Sequence, residues 1–228
     1  MSAARPVPNP QEQLFAAIRA GDAARVSELL GAAPKLTAAR APDGASPILL
    51  SIYSGHPELV AVFEKAGAVL NLFEACAAGR GERVRALLQT DPSLAQAYSE
   101  DGYPALGLAV FFGHDDVAGL LIESGADLNA RSRNSQGVTP LHAAAARHNA
   151  SMVRNLLSRG ADPDALQAAG FTALHEAAFH GDREIADLLL GYGADPRVKT
   201  ADGKTAADLA AARGHGELAA QLAPLSIR

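Results

Sequence analysis

The stretch "TPLHAAAARHNASMVRNLLSRGADPD", residues 139–164, holds two helical segments, four consecutive alanines, two histidines and a closing Gly-Ala-Asp. Thr139 reads as a helix N-cap, and Pro140 after it has the helical φ already set and no N–H to leave unpaired. Ala143 to Ala146 cost no side-chain entropy in a helix and let a neighbouring helix approach closely. The identity of that neighbour is written elsewhere in the chain.

Laying "GFTALHEAAFHGDREIADLLLGYGADPR" on "GVTPLHAAAARHNASMVRNLLSRGADPD" places Gly137, Gly170 and Gly203 at a spacing of 33 residues. In most copies the first helix ends at a glycine, as at Gly55, Gly113, Gly181 and Gly214, where left-handed backbone is expected. A second helix follows with apolar spacing such as Ile185, Leu188 and Leu189, and ends at Gly67, Gly125, Gly160 or Gly193. The period, the T-P-L-H turn and the closing G-A-D resemble the ankyrin repeat, most strongly over residues 102–216. The Trp, Leu-Gly and Tyr signature of the tetratricopeptide repeat is absent, and the chain has no Trp. The ankyrin resemblance implies an all-α repeat solenoid, a stack of antiparallel helix pairs joined by β-hairpin fingers along a concave groove.

The first half carries the pattern less openly. A shift of 58 residues lays "LFAAIRAGDAARVSELLGAAPKL" on "LFEACAAGRGERVRALLQTDPSL", and "DGASPILLSIYSGHPELVAVFEKAGAVLN" on "DGYPALGLAVFFGHDDVAGLLIESGADLN", without gaps. The expected organisation is therefore seven units, at 11–41, 42–69, 70–99, 100–133, 134–166, 167–199 and a C-terminal cap at 200–228. Residues 1–10, with Pro6, Pro8 and Pro10, read as a disordered lead-in. Three departures from the period stand out. Asn71 runs straight into Leu72 without a finger, which predicts a notch in the finger row. "RSRNSQG" stretches the Gly102 to Gly137 interval to 35 residues, which predicts a finger that protrudes or bulges, carrying Arg131 and Arg133. His148 stands where the other first helices end in glycine, which predicts a side chain at positive φ.

Composition narrows the function. The net charge of −5 comes from interspersed acidic and basic residues with no run of Lys and Arg to neutralise phosphates, which disfavours nucleic acid. Nowhere do about eighteen apolar residues run together as a membrane span needs, and the N-terminus shows no signal-peptide pattern. The single cysteine, Cys76, excludes an internal disulfide framework and a Cys-rich zinc site and suits a cytoplasmic address.

Candidate chemistry is sparse. His175, Glu176 and His180 fail the metalloprotease pattern because the histidines are five apart, not one helical turn of four. His142 and His175 share one slot, and the resemblance implies that each braces its turn through backbone hydrogen bonds. His56, His114 and His215 each follow a helix-ending glycine and read as structural. His114-Asp115-Asp116 opens a helix, where acidic groups are favoured by the dipole without any metal. Cys76 aligns with Ile18, Ala145 and Ala178 on a packed helix side and reads as an inert buried thiol. No nucleophile elbow or phosphate loop is present. No enzyme, cofactor or metal site is expected.

The resemblance implies that the residue after each finger glycine, and the two before the next helix-ending glycine, face the groove. Those slots hold Tyr53, Tyr103, Phe111, Phe112, Phe171 and Phe179, six of the eleven aromatic residues, with Arg147 and His180 beside them. One reading is an exposed aromatic stripe for a protein partner, rimmed by Arg131 and Arg133, on a chain that is monomeric when free. The other is that the rings cover gaps between first helices, and that the two arginines are ordinary solvated loop charge. A rival function is a hydrolase in which His148, His180 and Asp101 converge; a third is self-association.

Overall fold

The computed structural model describes residues 9–223, and these hold fourteen α-helices in seven consecutive pairs. In chain order the first four pairs are α1 (Pro10–Arg19) with α2 (Ala23–Ala32), α3 (Pro47–Tyr53) with α4 (Val60–Lys65), α5 (Leu72–Ala77) with α6 (Gly81–Thr90), and α7 (Ala105–Phe111) with α8 (Asp115–Glu123). The last three are α9 (Pro140–Ala146) with α10 (Ala150–Ser158), α11 (Ala173–His180) with α12 (Arg183–Gly191), and α13 (Ala206–Ala212) with α14 (Gly216–Leu222). Each first helix packs on the next, from α1 on α3 to α11 on α13, so one apolar core runs from Leu14 to Leu222. Alanines make this approach feasible. Ala143, Ala144 and Ala145 of α9, and Ala177 and Ala178 of α11, are all buried.

Side chains start the first helices. Asn9, Ser46, Asn71, Thr139, Thr172 and Thr205 each accept a backbone N–H from the first turn, satisfying a donor that has no partner within the helix. Asn9 and Pro10 thus belong to the start of α1, not to a lead-in; residues 1–8 of the expected lead-in lie outside the described residues. α7 is the exception. Its N-cap is Pro104, which offers no side-chain bond.

Glycine at the helix ends answers two demands at once. Gly181 has φ +72°, and a Cβ there would lie 2.6 Å from the ring of His215 in the next unit. His56 sits the same way on Gly21, and His114 on Gly79. At the fifth unit the arrangement is reversed: His148 supplies the ring itself at φ 55°, and the next unit offers Asp182, whose Oδ2 lies 3.0 Å from Nδ1.

The fingers differ from expectation in two ways, and the long finger shows how its extra residues are held. No β-strand forms among the described residues, where hairpins were expected; Tyr98 and Pro104 make an isolated bridge. The fingers are tight loops closed by a backbone bond such as that from Thr200 N–H to the Lys204 carbonyl; around Tyr98 and Pro104 there are two, Ser99 N–H to the Tyr103 carbonyl and Ala105 N–H to the Ala97 carbonyl, and an isolated bridge builds no ladder. The expected notch is bridged. α5 lacks the first turn that α1 has, and the flanking fingers meet across it: Arg40 Nε lies 2.6 Å from Glu100, and a Cβ on Gly44 would lie 3.2 Å from the Glu100 carbonyl carbon. The long finger is folded on itself. Ser132 N–H donates to the Val138 carbonyl, Asn134 Oδ1 accepts from Ser132 Oγ and Gln136 N–H, and Arg133 lies 3.7 Å over the Tyr98 ring.

Candidate functional site

The regular units show what the turn looks like when complete. His142 Nδ1 lies 2.8 Å from Thr139 Oγ1, and its Nε2 lies 3.1 Å from the Phe171 carbonyl oxygen in the next finger. A carbonyl only accepts, so Nε2 carries the proton and Nδ1 takes the Thr139 hydroxyl. His175 repeats the device with Thr172 and the Lys204 carbonyl. Burial pushes the His142 imidazole down to about 4 and lowers His175 as well, so both work as neutral rings. The bracing reading of the two histidines thus describes what the structure contains.

The fourth unit has neither partner of this device. Pro104 stands at the threonine slot and Gly107 at the histidine slot. The space between them and the next finger is a cavity of about 380 Å³, floored by Gly107, Leu108 and Ala143 and walled by Tyr53, Tyr103, Phe111, Phe112 and Val138. The rings form one cluster: Tyr53 stacks on Phe112 at 5.8 Å, Tyr103 meets Tyr53 edge-on at 6.3 Å, and Phe111 meets Phe112 edge-on at 5.1 Å. Tyr53 belongs to α3 and Phe112 follows α7, so this contact passes over α5, whose end carries only Ala77 and Ala78. The Tyr53 hydroxyl donates to Asp101 Oδ2 at 2.7 Å; burial, then this bond, holds it protonated far above the ordinary phenol range. Asp101 Oδ1 is buried without a partner.

A second group of rings lies on the fifth to seventh units. Phe171 tilts over His175, Arg213 covers the Phe179 ring at 3.7 Å, and His180 meets both Phe179 and His148 edge-on. Beside it is an open depression of about 410 Å³ lined by Gln136, Gln167, Phe171, Glu176 and Phe179. Gln136 borders both hollows.

The structure therefore joins the candidates into two clusters, not one exposed stripe. Phe111 is 49% exposed, whereas Tyr53, Tyr103 and Phe112 are half-buried against one another, Phe171 against His175, and Phe179 under Arg213. A flat ring on a small-residue helix covers its neighbour's apolar surface as readily as it faces water, which is why pattern alone could not separate the two readings. Arg147 is exposed, its guanidinium near Gly113. Arg131 and Arg133 are exposed too, but Arg131 Nε lies 3.4 Å from the Gly137 carbonyl and Arg133 is stacked, so both hold the long finger together. Of the hydrolase trio, His148 and His180 meet with ring centroids 4.9 Å apart, while Asp101 is engaged by Tyr53. His148 pairs with Asp182 instead, and His180 Nε2 with Glu176 at 3.3 Å. Cys76 is fully buried, its thiol pushed up to about 12 by that burial, which removes it as a nucleophile. Among the described residues no three His, Cys, Asp or Glu side chains gather to hold a metal ion, and no helix is long and apolar enough to cross a membrane.

The cavity at Gly107 was the feature missed in the sequence, although aligning Gly107 with His142 and His175 was enough to find it.

Known proteins share this architecture. A family model described as ankyrin repeats (3 copies) matches residues 128–200 and 167–227, and one described as ankyrin repeat matches 101–133. The E3 ubiquitin-protein ligase KEG of Arabidopsis thaliana is 32% identical over 92 residues, 40% of this chain and 6% of that protein. A transient receptor potential cation channel subfamily A member 1 homolog of Caenorhabditis elegans is 30% identical over 128 residues, 52% of this chain and 10% of that protein. The chain thus spans a tenth or less of either relative and is matched through a fraction of each. With family matches over more than half its length, on seven stacked helix pairs of which the fifth and sixth carry the Thr-His brace to the next finger, the chain belongs to the ankyrin repeat family.

Proposed function

We propose that this chain is a non-catalytic interaction scaffold that binds a protein partner along the concave groove formed by its first helices and fingers. Ankyrin repeats mediate protein–protein contact in general, and stacked units present the extended surface that such contact needs. The observation that carries the reading is the aromatic cluster at the fourth unit, where the half-exposed Phe111 and three further rings wall an open cavity of about 380 Å³. Rings held by their neighbours lose little freedom on binding, and apolar centres with a polar edge are the usual composition of an interface. Phe171, Phe179, His180 and Arg147 extend the surface towards the C-terminus, and the loops at 99–103 and 132–138 form its finger side. In this reading the free protein is a cytoplasmic monomer, the seven helix pairs act as one domain, and the loops stay in the family's finger positions without becoming a β-sheet.

The test is affinity capture with wild type and Phe111→Ala from lysate of the source organism. A partner retained by wild type and lost by Phe111→Ala, at unchanged melting temperature, is the expected result. A partner retained equally by both would move the interface away from this cluster.

A further inference from the structure

The empty brace slot in the fourth unit specifies its own occupant. In the fifth and sixth units the equivalent slot holds an imidazole whose Nε2 reaches the carbonyl of the next finger, at Phe171 or Lys204. Those two carbonyls also accept a backbone N–H that closes their own finger, from Gln167 and Thr200. The corresponding carbonyl above Gly107 is that of Val138, which accepts the closing N–H of Ser132 and has no imidazole beneath it, because Gly107 supplies no side chain. A carbonyl oxygen has two acceptor positions. The slot is therefore a mostly apolar space, with Gln136 and Thr139 at its border and the Val138 carbonyl in the place where the neighbouring units offer a carbonyl to an imidazole N–H, the counterpart of a flat heteroaromatic ring that carries an N–H. Its volume of about 380 Å³ lies within the range of ligand sites, and its walls are Tyr53, Tyr103, Phe111 and Phe112.

We propose that this cavity receives a tryptophan side chain of the protein partner, with the indole N–H donating to the Val138 carbonyl. This rests on the groove-binding reading above and names the group that the groove selects. Indole fits where imidazole serves in the neighbouring units: it is planar, apolar on both faces, larger, and offers one donor and no acceptor. Tryptophan is also the side chain most enriched at the energetic centre of interfaces. These 228 residues contain no tryptophan, so none of them supplies the occupant.

The absence of tryptophan also makes the test direct. N-acetyltryptophanamide is titrated against the intact protein and its indole fluorescence followed without background from the chain. Saturable binding with a blue shift is expected, weakened about fivefold for the 1-methylindole analogue, which lacks the donor, and weaker still for N-acetylphenylalaninamide. Two variants fill the slot from within. Pro104→Thr with Gly107→His restores the brace of the fifth and sixth units, and Pro104→Ser with Gly107→Leu copies the second unit, where Ser46 caps the helix and Leu49 occupies the same slot and is buried. Both substitutions are paired because a Cβ on Gly107 would lie 3.1 Å from Pro104 Cγ. Both variants should keep a cooperative melt and lose the probe; the Thr/His variant should melt at or above the wild-type temperature. Absence of saturable binding by wild type, or equal binding by a folded slot-filled variant, overturns the proposal while leaving the scaffold reading standing. Partner capture that survives the Ser/Leu variant overturns the assignment of the indole to a partner protein. Loss of capture in Phe111→Ala and in the Ser/Leu variant together supports both readings.

Discussion

The fifth and fourth units are neighbours with the same backbone plan and opposite uses of one slot. In the fifth, Thr139 caps α9 and His142 ties it to the next finger through a buried, neutral ring. In the fourth, Pro104 leaves α7 without a side-chain cap, and Gly107 opens a cavity that surrounding aromatic rings line instead of fill. A helical glycine costs about 1 kcal/mol relative to alanine, and the missing brace costs the hydrogen bonds as well. The contrast teaches where a stacked protein can give up stability. A unit packed between a capped neighbour, the third, and a braced one, the fifth, can go without a brace of its own and still fold, since each unit is supported chiefly by those it touches. The space released is available for binding.

The contrast is most sharply broken by removing a brace that is present. His142→Ala would remove the ring that joins Thr139 to the Phe171 carbonyl in a buried site, leaving the carbonyl only its bond from Gln167 N–H, and a loss of about 3–4 kcal/mol is expected in denaturant melts. A loss below about 1 kcal/mol would mean that the regular units do not depend on their histidines.

Acid provides the same test without mutation. The folded-state His142 titrates near 4, below its ordinary value, and His175 is lowered too, so the unfolded chain binds more protons than the folded one once the pH drops below about 6.5. Stability should therefore be full above that pH and fall as the pH descends towards 4, by about 3 kcal/mol from His142 alone. His142→Ala should show a shallower decline over the same window. Identical slopes for the two proteins would assign the acid sensitivity to other groups.

Within the fourth unit the two adjacent phenylalanines should separate. Phe112 is half-buried and stacked on Tyr53, so Phe112→Ala should cost about 2 kcal/mol, whereas the more exposed Phe111→Ala should cost under about 1 kcal/mol. Equal losses would place both rings in the core.

His148→Gly is expected to have the smallest effect. Glycine relieves a side chain held at φ 55°, but removes the Asp182 bond and the contact with His180, and adds freedom to the unfolded chain. These terms oppose one another, so a change within about 0.5 kcal/mol is expected. A loss above about 2 kcal/mol would show that the imidazole, and not the backbone position, is what the fifth unit retains.

Much of this was legible in the residues. The repeat, its glycine stops, the T-P-L-H turn and the left-handed His148 follow from local rules that tertiary context does not override. What escaped was how a departure is accommodated. The missing finger before Leu72 predicted a gap, and the gap is bridged because Arg40, Tyr53, Glu100 and Asp101 reach across a shortened helix from units that are not adjacent in sequence. Arg131 and Arg133 read either as a rim for a partner or as solvated loop charge; both are exposed, and each also lies on its own finger, Arg133 over the Tyr98 ring and Arg131 near the Gly137 carbonyl. Exposure of the aromatic slots depended on which ring stacks on which, a property of pairs that no single position records.

The account's central claim is that the partner docks on the finger side of the first helices around the fourth and fifth units. A photo-reactive residue placed at Gln136, which borders both hollows, should form a covalent adduct with the captured partner on irradiation, and one placed at the exposed Glu123 of α8 should not. An adduct from position 123 and none from position 136 would contradict the claim.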